Sequence, residues 1–218
     1  MRLLNLTLLP KSLLFFTILS SIFLLPKNSL ATPSLFINWK ALTLSSDSYS
    51  GKNLPTPGSQ VELGIFALDG NQLTNLKTAD VFWYQNENLI KKGSGLSHIT
   101  LTLDESGTPT TIRVKVKKDD TIIEGLTIIN PVSSNLYIEV KKTISKSSVF
   151  FARPLFFNVN NLENLSFEWE AGGKKVVGPS SLTLSVPPEI DSILLKSTVK
   201  NKTRKVEQVS ETISLKNG

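Results

Sequence analysis

The chain reads as all-β: two tandem antiparallel β-sandwich domains behind an N-terminal signal helix. Three observations predict this. Apolar and polar residues alternate almost everywhere after Ala31, the spacing of half-buried antiparallel strands. One run of strands and turns occurs twice, each copy with a tryptophan at the same place. Residues 1–31 differ in kind from the rest: scattered basic residues, an apolar run, then a small-residue end.

Arg2 and Lys11 precede the apolar run 13–25 (LLFFTILSSIFLL), which Pro26, Lys27 and Asn28 break. Ser29-Leu30-Ala31 then places small residues at −3 and −1 of a cut after Ala31. That order is a signal peptide's. The other reading of residues 1–31 is an uncleaved anchor. The run is shorter than the ~20 residues of a spanning helix, and Asn5, Pro10 and Lys11 interrupt any extension from Leu3. Either way the rest of the chain is extracytoplasmic: secreted, at the cell surface or membrane-anchored. The sequence has no cysteine, so neither a lipobox nor a disulfide exists. Stability must come from apolar burial and sheet hydrogen bonds.

The first domain is expected over residues 34–131. Its strands are read at 35–39 (LFINW), 61–65 (VELGI), 81–84 (VFWY), a short piece ending at Lys91-Lys92, 98–103 (HITLTL), 111–116 (TIRVKV) and 121–129. Clusters of Gly, Pro, Asn, Asp and Ser at 49–60, 69–75, 104–110 and 118–120 separate them. Pro131-Val132-Ser133-Ser134 is the natural junction, and the second domain is expected over 132–218. It repeats the order of the first: 167–170 (FEWE), a turn at Gly172-Gly173, 174–177, 181–186, a turn at Pro187-Pro188, 192–200 and 206–215.

Trp83 and Trp169 occupy equivalent places on the third long strand. Each would bury about 200 Å² at the centre of a core, and Trp39 on the first strand packs too. A tryptophan there marks immunoglobulin-like sandwiches. The two flanking cysteines of antibody-type domains are absent, so the likeness is to PKD-like and fibronectin-type modules.

Composition and motifs exclude more than they assign. Without residues 1–31 the chain keeps 21 basic against 18 acidic residues, a net charge of +3 in place of +6. Its lysines suit strand edges, which they guard against edge-to-edge pairing. No aromatic-interleaved basic motif points to nucleic acid. Asp104-Glu105 and Asp119-Asp120 fall in hairpin turns and lack calcium-loop spacing. His98 is the single histidine, and Ser94 and Ser97 belong to a Gly/Ser loop. Glu168 and Glu170 share the face opposite Trp169. No catalytic residue, metal ligand or cofactor site emerges, and the chain is not read as an enzyme. The most distinctive segment is 49–59 (YSGKNLPTPGS). Its prolines fix φ and its glycines permit turns. Tyr49, Gly51, Lys52, Pro55, Pro57 and Gly58 form a candidate interaction loop, or the route of one strand between sheets.

This segment, followed by Phe82-Trp83-Tyr84 and Gly93-Ser94-Gly95-Leu96, resembles a set of uncharacterised exported proteins of candidate-phyla (Patescibacteria) bacteria. Residues 151–157 (FARPLFF) and 165–169 (LSFEW) fit the same pattern, although Arg153 stands where members more usually carry an acid. The similarity spans most of residues 35–185. It implies a tandem Ig/PKD-like extracytoplasmic protein and transfers no catalytic residue.

The expected function is a non-catalytic structural, adhesion or interaction module of the bacterial cell envelope. Its partner would be an envelope protein or surface polymer, with membrane contact only through an uncleaved N-terminal segment. One alternative is a periplasmic or membrane-anchored assembly or secretion-accessory protein of pilus type, with a free edge strand for a partner's strand. The other is a glycan-binding module, with Tyr49, Tyr84 and Tyr137 as its exposed aromatics.

Overall fold

The computed structural model describes residues 33–142, 147–185 and 191–216. The signal segment read over residues 1–31 lies outside them, as does the turn at Pro187-Pro188. From Pro33 onward the chain is one compact unit built around two hydrophobic cores.

The first core lies among β1 (Ser34–Ala41), β2 (Gln60–Asp69), β3 (Gln72–Thr74), β4 (Asp80–Gln85), β5 (Asn88–Ser94), β6 (His98–Thr102), β7 (Thr110–Lys118) and β8 (Thr121–Ile129). In one sheet β2 pairs with β1, β3 and β6; the other runs β5-β4-β7-β8. The second core lies among β9 (Asn135–Lys142), β10 (Ser147–Leu155), β11 (Leu165–Ala171), β12 (Lys174–Gly178), β13 (Ser181–Ser185), β14 (Ser192–Asn201) and β15 (Gln208–Lys216). Its sheets run β13-β10-β9 and β12-β11-β14-β15. Every pairing is antiparallel. Apart from the short β3, the two halves share one strand order, a three-on-four sandwich of the immunoglobulin/fibronectin type. The repeat therefore begins before the stretch in which the sequence displays it, because β9 and β10 match β1 and β2.

Alternation explains the cores. On β7, Thr110, Ile112, Val114 and Val116 are buried while the intervening residues are partly exposed, as a two-residue period requires. Trp83 and Trp169 are 0% and 2% exposed. A buried indole N–H needs an acceptor, and both copies supply it alike. Trp83 Nε1 donates to the Leu96 carbonyl at 2.9 Å and Trp169 Nε1 to the Pro179 carbonyl at 3.1 Å. Each carbonyl lies in the loop that carries the chain from the strand beside the tryptophan to the opposite sheet. The preceding hairpins also match. Asn86 and Glu87 have φ of 47° and 69°, and Gly172 and Gly173 have 55° and 75°. Two left-handed residues in succession are what a tight hairpin needs to follow the strand twist.

Candidate functional site

The segment between β1 and β2 leaves the first sandwich and fastens onto the second. Leu44 and Phe157 form an isolated antiparallel bridge, with N–H to carbonyl distances of 2.7 and 3.0 Å in the two directions. Ser46 N–H donates to the Pro154 carbonyl at 2.9 Å, and Phe156 N–H to Ser45 Oγ at 3.3 Å. Leu44 packs against the second core, where Phe157 is fully buried. Phe156 sits at φ 62°, a left-handed conformation costly for a bulky residue. That conformation occurs where the two halves meet.

The candidate loop residues divide between this contact and solvent. The Tyr49 ring meets Phe156 edge-on at 5.3 Å, and its hydroxyl donates to the Lys52 carbonyl at 3.1 Å. Gly51 and Lys52 are exposed. The Lys52 ammonium lies 3.2 Å from the centre of the Trp39 ring, and desolvation lowers its pKa. Trp39 itself is half-buried against the first core. Thr43 fastens the loop on itself: its hydroxyl donates to the Leu54 carbonyl at 2.8 Å and its carbonyl accepts from Asn53 Nδ2 at 2.6 Å. The buried Pro55 accepts from Val132 N–H at 2.8 Å. The Pro57 carbonyl accepts from Arg204 Nη2 at 3.1 Å. Gly58 is buried at φ 69°, and its carbonyl accepts from Asn158 Nδ2 at 3.0 Å.

Gly58 also floors an ion pair between the halves. Arg204 forks onto Glu105, with Nη1–Oε1 at 2.8 Å and Nη2–Oε2 at 2.5 Å. A Cβ at Gly58 would lie 2.3 Å from Glu105 Oε1 and 2.6 Å from Arg204 Nη1. The pair raises the Arg204 pKa and holds the Glu105 carboxyl below its ordinary value, the hydrogen bond between them being the main cause. Behind it, Glu207 gathers three donors: Ser134 Oγ at 2.7 Å, Asn158 N–H at 2.8 Å and Asn201 Nδ2 at 2.6 Å. Asn201 Oδ1 accepts from Arg204 N–H at 3.1 Å and so sets the base of the arginine. A cleft of about 320 Å³ opens here, lined by Thr56, Glu105, Ser134, Arg204 and Glu207.

In the sequence Asp104-Glu105 reads as a turn, and Asn158, Asn201, Arg204 and Glu207 carry no local signal of this contact. Only the Pro57-Gly58-Ser59 spacing marked this place. Two other acids with lowered pKa are held by local partners. Glu168 pairs with Lys200 at 3.3 Å and Lys175 at 3.5 Å, and its pKa is lowered chiefly by the Lys200 hydrogen bond. Asp104 accepts from Ser106 N–H at 2.7 Å, which lowers its pKa. Ser97 Oγ and His98 Nδ1 are 3.0 Å apart, but among the described residues no carboxylate hydrogen-bonds that ring. Among the described residues no cluster of three metal-ligating side chains forms. Tyr84 lies under the Arg113 guanidinium, 4.4 Å from ring centre to charge, and the Tyr137 hydroxyl bonds Ser48 Oγ at 2.5 Å.

No protein-family model matches the sequence, and no curated protein does. Solved structures align with much of this chain at low identity. Three N-terminal domains of the bacteriophage RB49 highly immunogenic outer capsid protein, Hoc, align at 12% identity over 85% of this chain, with a TM-score of 0.48. This chain spans 59% of the length of that one. Fibronectin(III)-like modules of Clostridium thermocellum CbhA align at 9% identity over 83% of this chain and 93% of that one, with a TM-score of 0.30. The central fibronectin-III array of RIM-binding protein aligns at 14% identity over 88% of this chain and 71% of that one, with a TM-score of 0.27.

Proposed function

We propose that this chain is a non-catalytic interaction module of the bacterial cell envelope, working outside the cytoplasm as a two-sandwich spacer that presents its outer faces to an envelope protein or surface polymer. The junction carries the reading. Consecutive sandwich modules ordinarily move on their linker. Here a strand bridge, a forked ion pair and the hydrogen bonds of Asn158 to Gly58 and Arg204 to Pro57 join the two halves instead. A fixed spacing between two faces is useful to a module that touches a partner at two places, and has no evident use in covalent chemistry. The titratable groups support the same reading, since each acid with a perturbed pKa is occupied by a cation or a backbone N–H. The signal-like residues 1–31 favour the extracytoplasmic setting.

The test is surface labelling of intact cells with a membrane-impermeant amine reagent. Lysines that react before lysis support the reading; a chain protected until lysis overturns it. Intact mass of the labelled form then separates a secreted chain lacking residues 1–31 from an anchored one that keeps them.

A further inference from the structure

A sheet edge offers backbone N–H and C=O groups to any extended strand, and proteins blunt such edges with bulges and lysines. The edges of this protein differ in how far they are blunted. β8 lies against β1 and β15 against β9. β5 is an open edge, but its register with β4 shifts between Trp83 and Tyr84, leaving Ile90 as a bulge, and Lys91 and Lys92 follow at once. β12 is the equivalent edge of the second sandwich; it has no bulge, and its lysines, Lys174 and Lys175, stand at its start rather than beside the tryptophan. Its register with β11 is continuous from Phe167↔Gly178 to Ala171↔Lys174. Lys175 is drawn back onto Glu168 and Glu170, at 3.5 and 3.7 Å. Val176 and Val177 are left 55% and 74% exposed, on opposite faces of the strand.

We propose that β12 is a self-pairing edge: two copies of this chain join through it, antiparallel, about a twofold axis at Val176. The register follows from sequence and charge. A twofold axis across an antiparallel pair sets each residue opposite one of the same face, so only single-residue centres are allowed. Centring on Lys175 places lysine opposite lysine, which destabilises a pair. Centring on Val177 sets Lys175 against Pro179, which lies beyond the strand, and pairs only three strand residues. Centring on Val176 pairs the whole strand: Lys174 with Gly178, Lys175 with Val177, and Val176 with itself. No lysine faces a lysine. The two Val176 side chains meet on the inner face, beside the Trp169 layer with which Val176 is in register. The result is one sheet continuous through both copies. A five-residue edge makes a small, reversible interface of the weak class below about 1,200 Å², so the pairing is concentration-dependent. The inference rests on β12 alone and stands whether or not the chain is extracytoplasmic.

The cysteine-free background makes the test clean. Val176→Cys, Val177→Cys and Val206→Cys are each introduced into the full chain in mild detergent, and disulfide dimers are followed on mild oxidation. Val206 is 88% exposed, in the connection between β14 and β15 and at the opposite side of the sheet from β12, so it reports collision and shares any association through residues 1–31. The expected result is dimer formation at Val176→Cys at least tenfold faster than at Val206→Cys, with Val177→Cys near the collision rate. Sedimentation of the otherwise unmodified chain should show concentration-dependent dimers that Val176→Lys removes. Equal rates at the three positions, a faster Val177→Cys, or an unmodified chain monomeric at every concentration would each overturn the proposal; the last would leave β12 to some other partner's strand.

Discussion

Leu44 belongs by sequence to the first copy and by packing to the second. Truncating it should therefore weaken a core to which its own copy contributes little else. Leu→Ala at a fully buried site costs about 2–5 kcal/mol. Leu44 is half-buried against the second core, which scales the expected loss to about 1–2 kcal/mol. The bridge to Phe157 runs through backbone atoms and survives the substitution, so the loss reports side-chain packing. One to two kcal/mol is roughly a 5–30-fold change in the population of the open state. Native-state hydrogen exchange read by mass spectrometry gives that change strand by strand. In Leu44→Ala, amides of β10, β11 and β14 should exchange faster by that factor, while those of β2, β4 and β7 hold their rates. Val61→Ala, at a fully buried site of the first core, should give the opposite pattern. If Leu44→Ala speeds β2 and β7 as much as β10 and β11, the assignment of Leu44 to the second core is wrong.

Gly58→Ala should open the junction. It forces a Cβ into the Glu105–Arg204 pair at a left-handed φ, and a cost above ~1 kcal/mol follows; small-angle scattering should show a longer and more variable particle, and an unchanged profile would contradict the role given to Gly58. The same junction should loosen in acid. Glu105 has a lowered folded-state pKa, so its contribution is present above its unfolded value and disappears as pH falls through the lower folded value. Hydrogen exchange at the Val132 amide should therefore accelerate below the ordinary carboxylate range, and Glu105→Gln should abolish that pH step. Trp83→Phe and Trp169→Phe should cost similar amounts, about 1–3 kcal/mol each, because both lose a matched buried hydrogen bond and ring volume; denaturant midpoints measure this, and a severalfold difference between them would argue against equivalent cores.

What was legible in the sequence is what repeats. Period-two alternation on β2, β6 and β7, the paired tryptophans and the matched hairpins lie within short windows, where local spacing reflects local structure. β9 and β10 were less plain because Arg153-Pro154 and a serine-rich start dilute their alternation. The junction was not legible, for a physical reason. Its contacts join residues from 77 to 147 positions apart along the chain, as in Val132 with Pro55 and Arg204 with Pro57, and no short window of sequence contains both partners. Comparison of the two copies supplies what single windows cannot. The connection from β1 to β2 occupies residues 42–59, while its counterpart from β9 to β10 occupies only 143–146. Duplication of a sandwich copies its core, but the surface where two copies meet cannot be identical on both, since one copy must give what the other receives. The unrepeated segment is therefore where a contact between the copies is to be sought, and Leu44, Tyr49, Pro55 and Gly58 all lie in it. The same logic applies at the far edge. β5 and β12 are equivalent strands, and the bulge and central lysines present in one and missing from the other mark the edge at which the copies have ceased to be interchangeable.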